Sequence, residues 1–82
     1  MSNFTIDETA YAGYILGSTK KVKLKGKKEI IEGTRDVLEA SRTLYEALSS
    51  DSTTFEQVLP LLENKRTRAK AYNKITGRIW RL

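Results

Sequence analysis

The chain has 82 residues, no cysteine and no histidine, with 39% hydrophobic and 30% charged residues and a formal net charge of +5. A single small domain over residues 1–82 is what this length allows, with a thin core that buries roughly 60–65% of the unfolded surface. Disulfides, thiolate chemistry, the commonest general acid–base and the usual zinc ligands are all excluded.

The first predicted element is a helix over about 5–16. Thr5-Ile6-Asp7-Glu8 fits a capping box, Asp7 and Glu8 suit the positive end of a helix, and Gly17 is a natural stop. Such a helix would set Tyr11, Tyr14 and Ile15 on one side. A competing reading places a short strand or hairpin around residues 13–25. In it Tyr14-Ile15-Leu16 turns at Gly17-Ser18-Thr19 and pairs with Lys21-Val22-Lys23-Leu24-Lys25, where apolar and cationic residues alternate.

Residues 27–49 carry the strongest local signal. Ile30, Thr34, Val37, Ser41, Leu44 and Leu48 follow a heptad spacing, and Ile31, Leu38 and Tyr45 widen the stripe. Acids fall on the opposite side, and Ser49-Ser50-Asp51-Ser52 ends the segment. Thr34 and Ser41 weaken the seam, so a helix packed in a small bundle is expected in place of an extended coiled coil. The same stripe is the place where the chain could self-associate.

Thr53-Thr54-Phe55-Glu56 reads as a second capping box opening a third helix. Pro60, the single proline, should kink or restart that helix near Leu59. Beyond it, Leu62, Ala69, Tyr72, Ile75, Ile79 and Leu82 line one side, and Gly77 marks a place to stop. The fold class is therefore mainly α, a three-helix domain with a lysine-rich connector or strand after the first helix.

Charge is sorted into blocks along this framework. Lys20, Lys21, Lys23, Lys25, Lys27 and Lys28 contain no acid among them; residues 29–63 are predominantly acidic; Lys65, Arg66, Arg68, Lys70, Lys74, Arg78 and Arg81 again include none. Arg66, Lys70, Lys74 and Arg78 recur every four residues, a row of cations on one side of a helix, where neighbouring like charges cost a few tenths of a kcal/mol (about 0.2–0.5) per pair. Either the internal acids balance these blocks or a polyanion or acidic partner does. The first block is all lysine, which suits attraction to phosphate or to an acidic surface and not bidentate base readout. Trp80, between Arg78 and Arg81, could stack on a base, anchor an interface, rest on a membrane surface or close the end of the core.

Catalysis finds no support. No glycine-rich phosphate loop, nucleophile–base set or carboxylate pair is present, and no loop spaces its acids like an EF-hand. No cofactor or metal is expected. The apolar runs are far short of the ~20 residues a membrane span requires, and no targeting segment is visible, which points to the cytoplasm.

In composition the chain resembles the small, cysteine-free, lysine-rich accessory proteins of large tailed bacteriophages. That resemblance implies residence in a host cytoplasm and a binder that modulates a larger target. Such targets include a host defence or transcription factor, a lysis or packaging component, and nucleic acid. The expected function is a non-enzymatic regulator or inhibitor that docks a basic helical surface on an acidic protein partner. Its binding surface would comprise Lys20, Lys21, Lys23, Lys25, Lys27, Lys28, Arg66, Lys70, Lys74, Arg78, Trp80 and Arg81. The alternative is a nucleic-acid-binding protein contacting phosphates through the same segments.

Overall fold

A computed structural model describes residues 6–82, in which three helices follow one another: α1 (Ile6–Ile15), α2 (Lys28–Leu48) and α3 (Phe55–Thr76). α2 and α3 form an antiparallel hairpin, and α1 packs against α2. The long dimension, 38 Å against 26 and 23 Å, is close to the ~33 Å that a helix the length of α3 spans at 1.5 Å per residue.

The capping box proposed at Thr5 lies outside the described residues. The other end of α1 closes in a Schellman motif. Ser18 N–H donates to the Gly13 carbonyl at 2.9 Å and Gly17 N–H to Tyr14 at 3.1 Å. Gly17 takes φ 83°, a left-handed conformation in which a Cβ would be strained. This ending decides between the two readings of residues 13–25. Tyr14 and Ile15 belong to the helix, and Leu16 N–H is bonded to Ala12 at 2.9 Å, so no free edge remains for Lys21–Lys25 to pair with. The expected strand or hairpin is therefore absent among the described residues. The alternation survives without it: Lys21, Lys23 and Lys25 are exposed while Val22 and Leu24 are half-buried.

α2 buries Gly33, Thr34, Val37, Leu38, Ala40, Ser41 and Leu44. The hydroxyl of Thr34 is satisfied by donating to the Ile30 carbonyl at 2.7 Å, a one-turn bond that lets a threonine sit in the seam. Ser41 Oγ, equally buried, has no hydrogen-bond partner among the described residues. The seam fades at the last turn, where Leu48 is 63% exposed.

Two capping registers are available at the start of α3, and the later one forms. Thr53 N–H is taken by Ser50 at 3.4 Å, which closes the turn. Thr54 then caps: its Oγ1 accepts from Gln57 N–H at 3.2 Å, and Gln57 Oε1 accepts from Thr54 N–H at 2.9 Å. The box is Thr54–Gln57, one residue beyond the sequence expectation of Thr53–Glu56. Pro60 neither breaks nor restarts the helix, which runs unbroken to Thr76. Both Pro60 and Glu56, whose carbonyl loses its donor, are exposed, so water can satisfy the one missing bond.

Gly77 ends α3 at φ 71°, donating to Asn73 at 2.9 Å, and the tail turns back along the helix. Trp80 N–H donates to Asn73 Oδ1 at 2.6 Å, and Lys65 Nζ reaches the Leu82 main-chain oxygen at 2.7 Å. Because of this reversal Ile79 and Leu82 do not continue the α3 stripe, and Ile79 is 77% exposed. Among the described residues, Ile15, Val37, Leu38, Ala40, Leu44 and Tyr72 are the buried apolar ones.

Candidate anion-binding surface

The basic blocks are placed by three different devices. The irregular connector between α1 and α2 carries the lysine block, with its side chains alternating outward. α3 carries Arg66, Lys70 and Lys74 four residues apart on its outer side. The reversed tail returns Arg78 and Arg81 to the neighbourhood of α1.

Their internal neutralisation is slight. Five ion pairs occur among the described residues. Three join residues of one helix: Arg42–Glu46 at 3.0 Å, Arg66–Glu63 at 3.6 Å and Lys28–Glu32 at 4.0 Å. Arg81 meets Glu8 of α1 at 3.4 Å, and Arg68–Asp36 at 3.6 Å is the one link between the acids of α2 and the cations of α3. Exposed pairs of this kind contribute about 0–1 kcal/mol each. Within the same residues, no carboxylate lies within 4 Å of the charged groups of Lys20, Lys21, Lys23, Lys25, Lys27, Lys70, Lys74 or Arg78.

Four of these cations border one recess. A cleft of about 810 Å³ opens between α1, the connector, the start of α2 and the end of α3, with Lys21, Lys23, Lys25 and Arg78 on its lining. Its apolar wall includes Val22, Leu24, Ile30, Tyr72 and Ile75, and Asp7 is its one acid. The inward side of the alternating connector supplies Val22 and Leu24, a feature the sequence shows; the arrival of Arg78 and Ile75 opposite them depends on the α3 packing. Gly33 allows that packing: a Cβ there would stand 3.2 Å from Ile75 Cδ1. A second recess of about 360 Å³ on the other side of the connector holds Lys20 and Lys21 with Arg35 and Glu39.

The remaining expected site residues are dispersed. Lys27 stands at the N-cap of α2 without a side-chain capping bond, and Lys28 begins that helix. Arg66, Lys70 and Lys74 are exposed on α3 and away from the cleft. Trp80 is packed, its ring stacked on Tyr11 at 5.8 Å between centroids and edge-on to Tyr72 at 5.1 Å. Burial raises the Tyr11 phenol above its ordinary pKa, with Asp7 adding to the effect. The sequence reading misses Phe55 and Leu59, which are 75% and 43% exposed and lie on the same side of α3 as Arg66, Lys70 and Lys74. Their spacing carries the signal, since Phe55, Leu59, Arg66, Lys70 and Lys74 all fall within an arc of about 100° on a helical projection.

Among the described residues no cluster of three or more acids, histidines or cysteines could hold a metal ion. None of their helices is long and apolar enough to cross a membrane. No protein-family model matches the chain, and no curated protein or solved structure matches it.

Proposed function

We propose that this protein is a non-enzymatic regulator or inhibitor that binds a larger acidic protein through the outer side of α3. The observation that carries the reading is the shared side of exposed Phe55 and Leu59 with Arg66, Lys70 and Lys74. A phosphate backbone would reward the cations and leave the aromatic and leucine side chains in water. A protein surface with an apolar depression beside carboxylates rewards both, the apolar groups by burial and the cations by steering encounter. Among the described residues no carboxylate lies within 4 Å of Lys70 or Lys74, which lowers the cost of engaging a partner's acids.

Affinity capture with and without nuclease treatment tests this reading. One defined protein should survive nuclease, and the doubly reversed variant Lys70→Glu/Lys74→Glu should bind the purified partner at least about tenfold more weakly, ~1.4 kcal/mol. Capture that vanishes with nuclease, together with an affinity for DNA or RNA falling log-linearly with salt, would replace it by the nucleic-acid reading.

A further inference from the structure

We infer that the cleft between the connector and the end of α3 is a binding site for a single-chain amphiphile with an anionic head. Its volume, about 810 Å³, falls within the roughly 300–1,000 Å³ of small-molecule sites, which combine an apolar wall with a few convergent polar groups. Here the charged groups are predominantly of one sign. Lys21, Lys23 and Lys25 stand on the connector and Arg78 faces from the α3 side, against Asp7 alone. None of the four cations has a carboxylate within 4 Å among the described residues. A carboxylate or phosphate head placed among them loses hydration but gains several charge-assisted donors.

The apolar wall calls for the other half of the ligand. Val22 and Leu24 come from an irregular connector with no main-chain pairing to another segment among the described residues, and both also border the second recess. The connector therefore lies over the core with space on either side, and small adjustments of it can accommodate an aliphatic chain without disturbing the helices. Ile75, 43% exposed, offers surface that a chain would cover. The lining converges from four segments on one recess, in contrast to the outer row of α3 along a single helix, and this favours a compact ligand over a docked helix. The cleft is separate from the outer row of α3, since its lining contains none of Arg66, Lys70 or Lys74.

The test is titration of the whole chain with dodecanoate and dodecyl phosphate below their micelle concentrations, followed by amide NMR shifts and calorimetry. Dodecyltrimethylammonium is the opposite-charge control, and acetate and inorganic phosphate are the head-only controls. Saturable binding of the anionic amphiphiles is expected, with shifts concentrated at residues 21–25 and 75–78 and the tighter of the two identifying the head group. Lys23→Glu/Lys25→Glu should weaken it by about tenfold, as should Ile75→Glu where circular dichroism shows the variant folded, whereas Lys70→Glu/Lys74→Glu should leave it within about twofold. Absence of saturation, equal binding of the cationic amphiphile, shifts spread along the outer row of α3, or equal loss in the Lys70/Lys74 variant would each overturn the assignment.

Discussion

Leu44, Leu48 and Ser41 occupy equivalent positions in the heptad pattern of α2, yet their surroundings differ. Leu44 is 7% exposed and Leu48 63%. Leu44→Ala should therefore destabilise by ~2–4 kcal/mol, while Leu48→Ala should stay within about 0.5 kcal/mol. Urea denaturation measures both; equal effects would show that the end of α2 is packed against something. Ser41 has the opposite sign. Its hydroxyl is buried without a partner, a state that costs about 1–3 kcal/mol relative to a satisfied group. Ser41→Ala removes that cost, improves helix propensity and should stabilise by about 1 kcal/mol. Loss of stability in the same denaturation experiment would mean that Ser41 holds a hydrogen bond essential to the seam. Thr34, two turns earlier, has its bond to Ile30 and gains nothing from the same truncation.

The elements differ in how well their ends are made, and α2 begins poorly. Lys27 at its N-cap makes no side-chain capping bond, and Lys28 follows it at the positive end of the helix dipole. A cation there opposes the dipole, whereas Asp would both cap and complement it. Lys27→Asp should raise stability by about 1 kcal/mol in thermal or urea unfolding; a loss would show that Lys27 makes a contact the native state needs. Helix limits are legible in the sequence wherever chemistry is punctual: Gly17 and Gly77 supply left-handed stops, and the serine-rich segment 49–52 supplies the turn. The seam of α2 is legible for the same reason, because burial follows helical period. The strand expected at Lys21–Lys25 is not, because alternation reports only which side faces the core, while a strand also needs a free neighbour. Pro60 is tolerated because its missing bond falls on an exposed side, a tertiary fact that residue type alone does not carry. The register of the α3 cap depends likewise on Ser50 engaging Thr53.

For the whole molecule, the fate of the charge blocks is what matters, and it rests on contacts between distant residues. That Arg81 meets Glu8, that Lys65 ties down the tail and that Arg78 arrives beside Lys21–Lys25 all follow from the reversal after Gly77, which no local pattern announces. The outcome is that part of each basic block faces solvent without a carboxylate within 4 Å among the described residues: Lys20, Lys21, Lys23, Lys25 and Lys27 of the first, and Lys70, Lys74 and Arg78 of the second. A chain built this way repels itself, and both proposed sites draw on that stored repulsion, since an anion that binds relieves it. Unfolding free energy measured from about 0.01 M to about 0.1 M sodium chloride tests this directly, because the screening length falls from about 30 Å to about 10 Å over that range. Stability should rise with salt, and rise further with phosphate at matched ionic strength. A decrease over the same range would mean that attraction between the protein's own opposite charges dominates its surface, and would contradict the account.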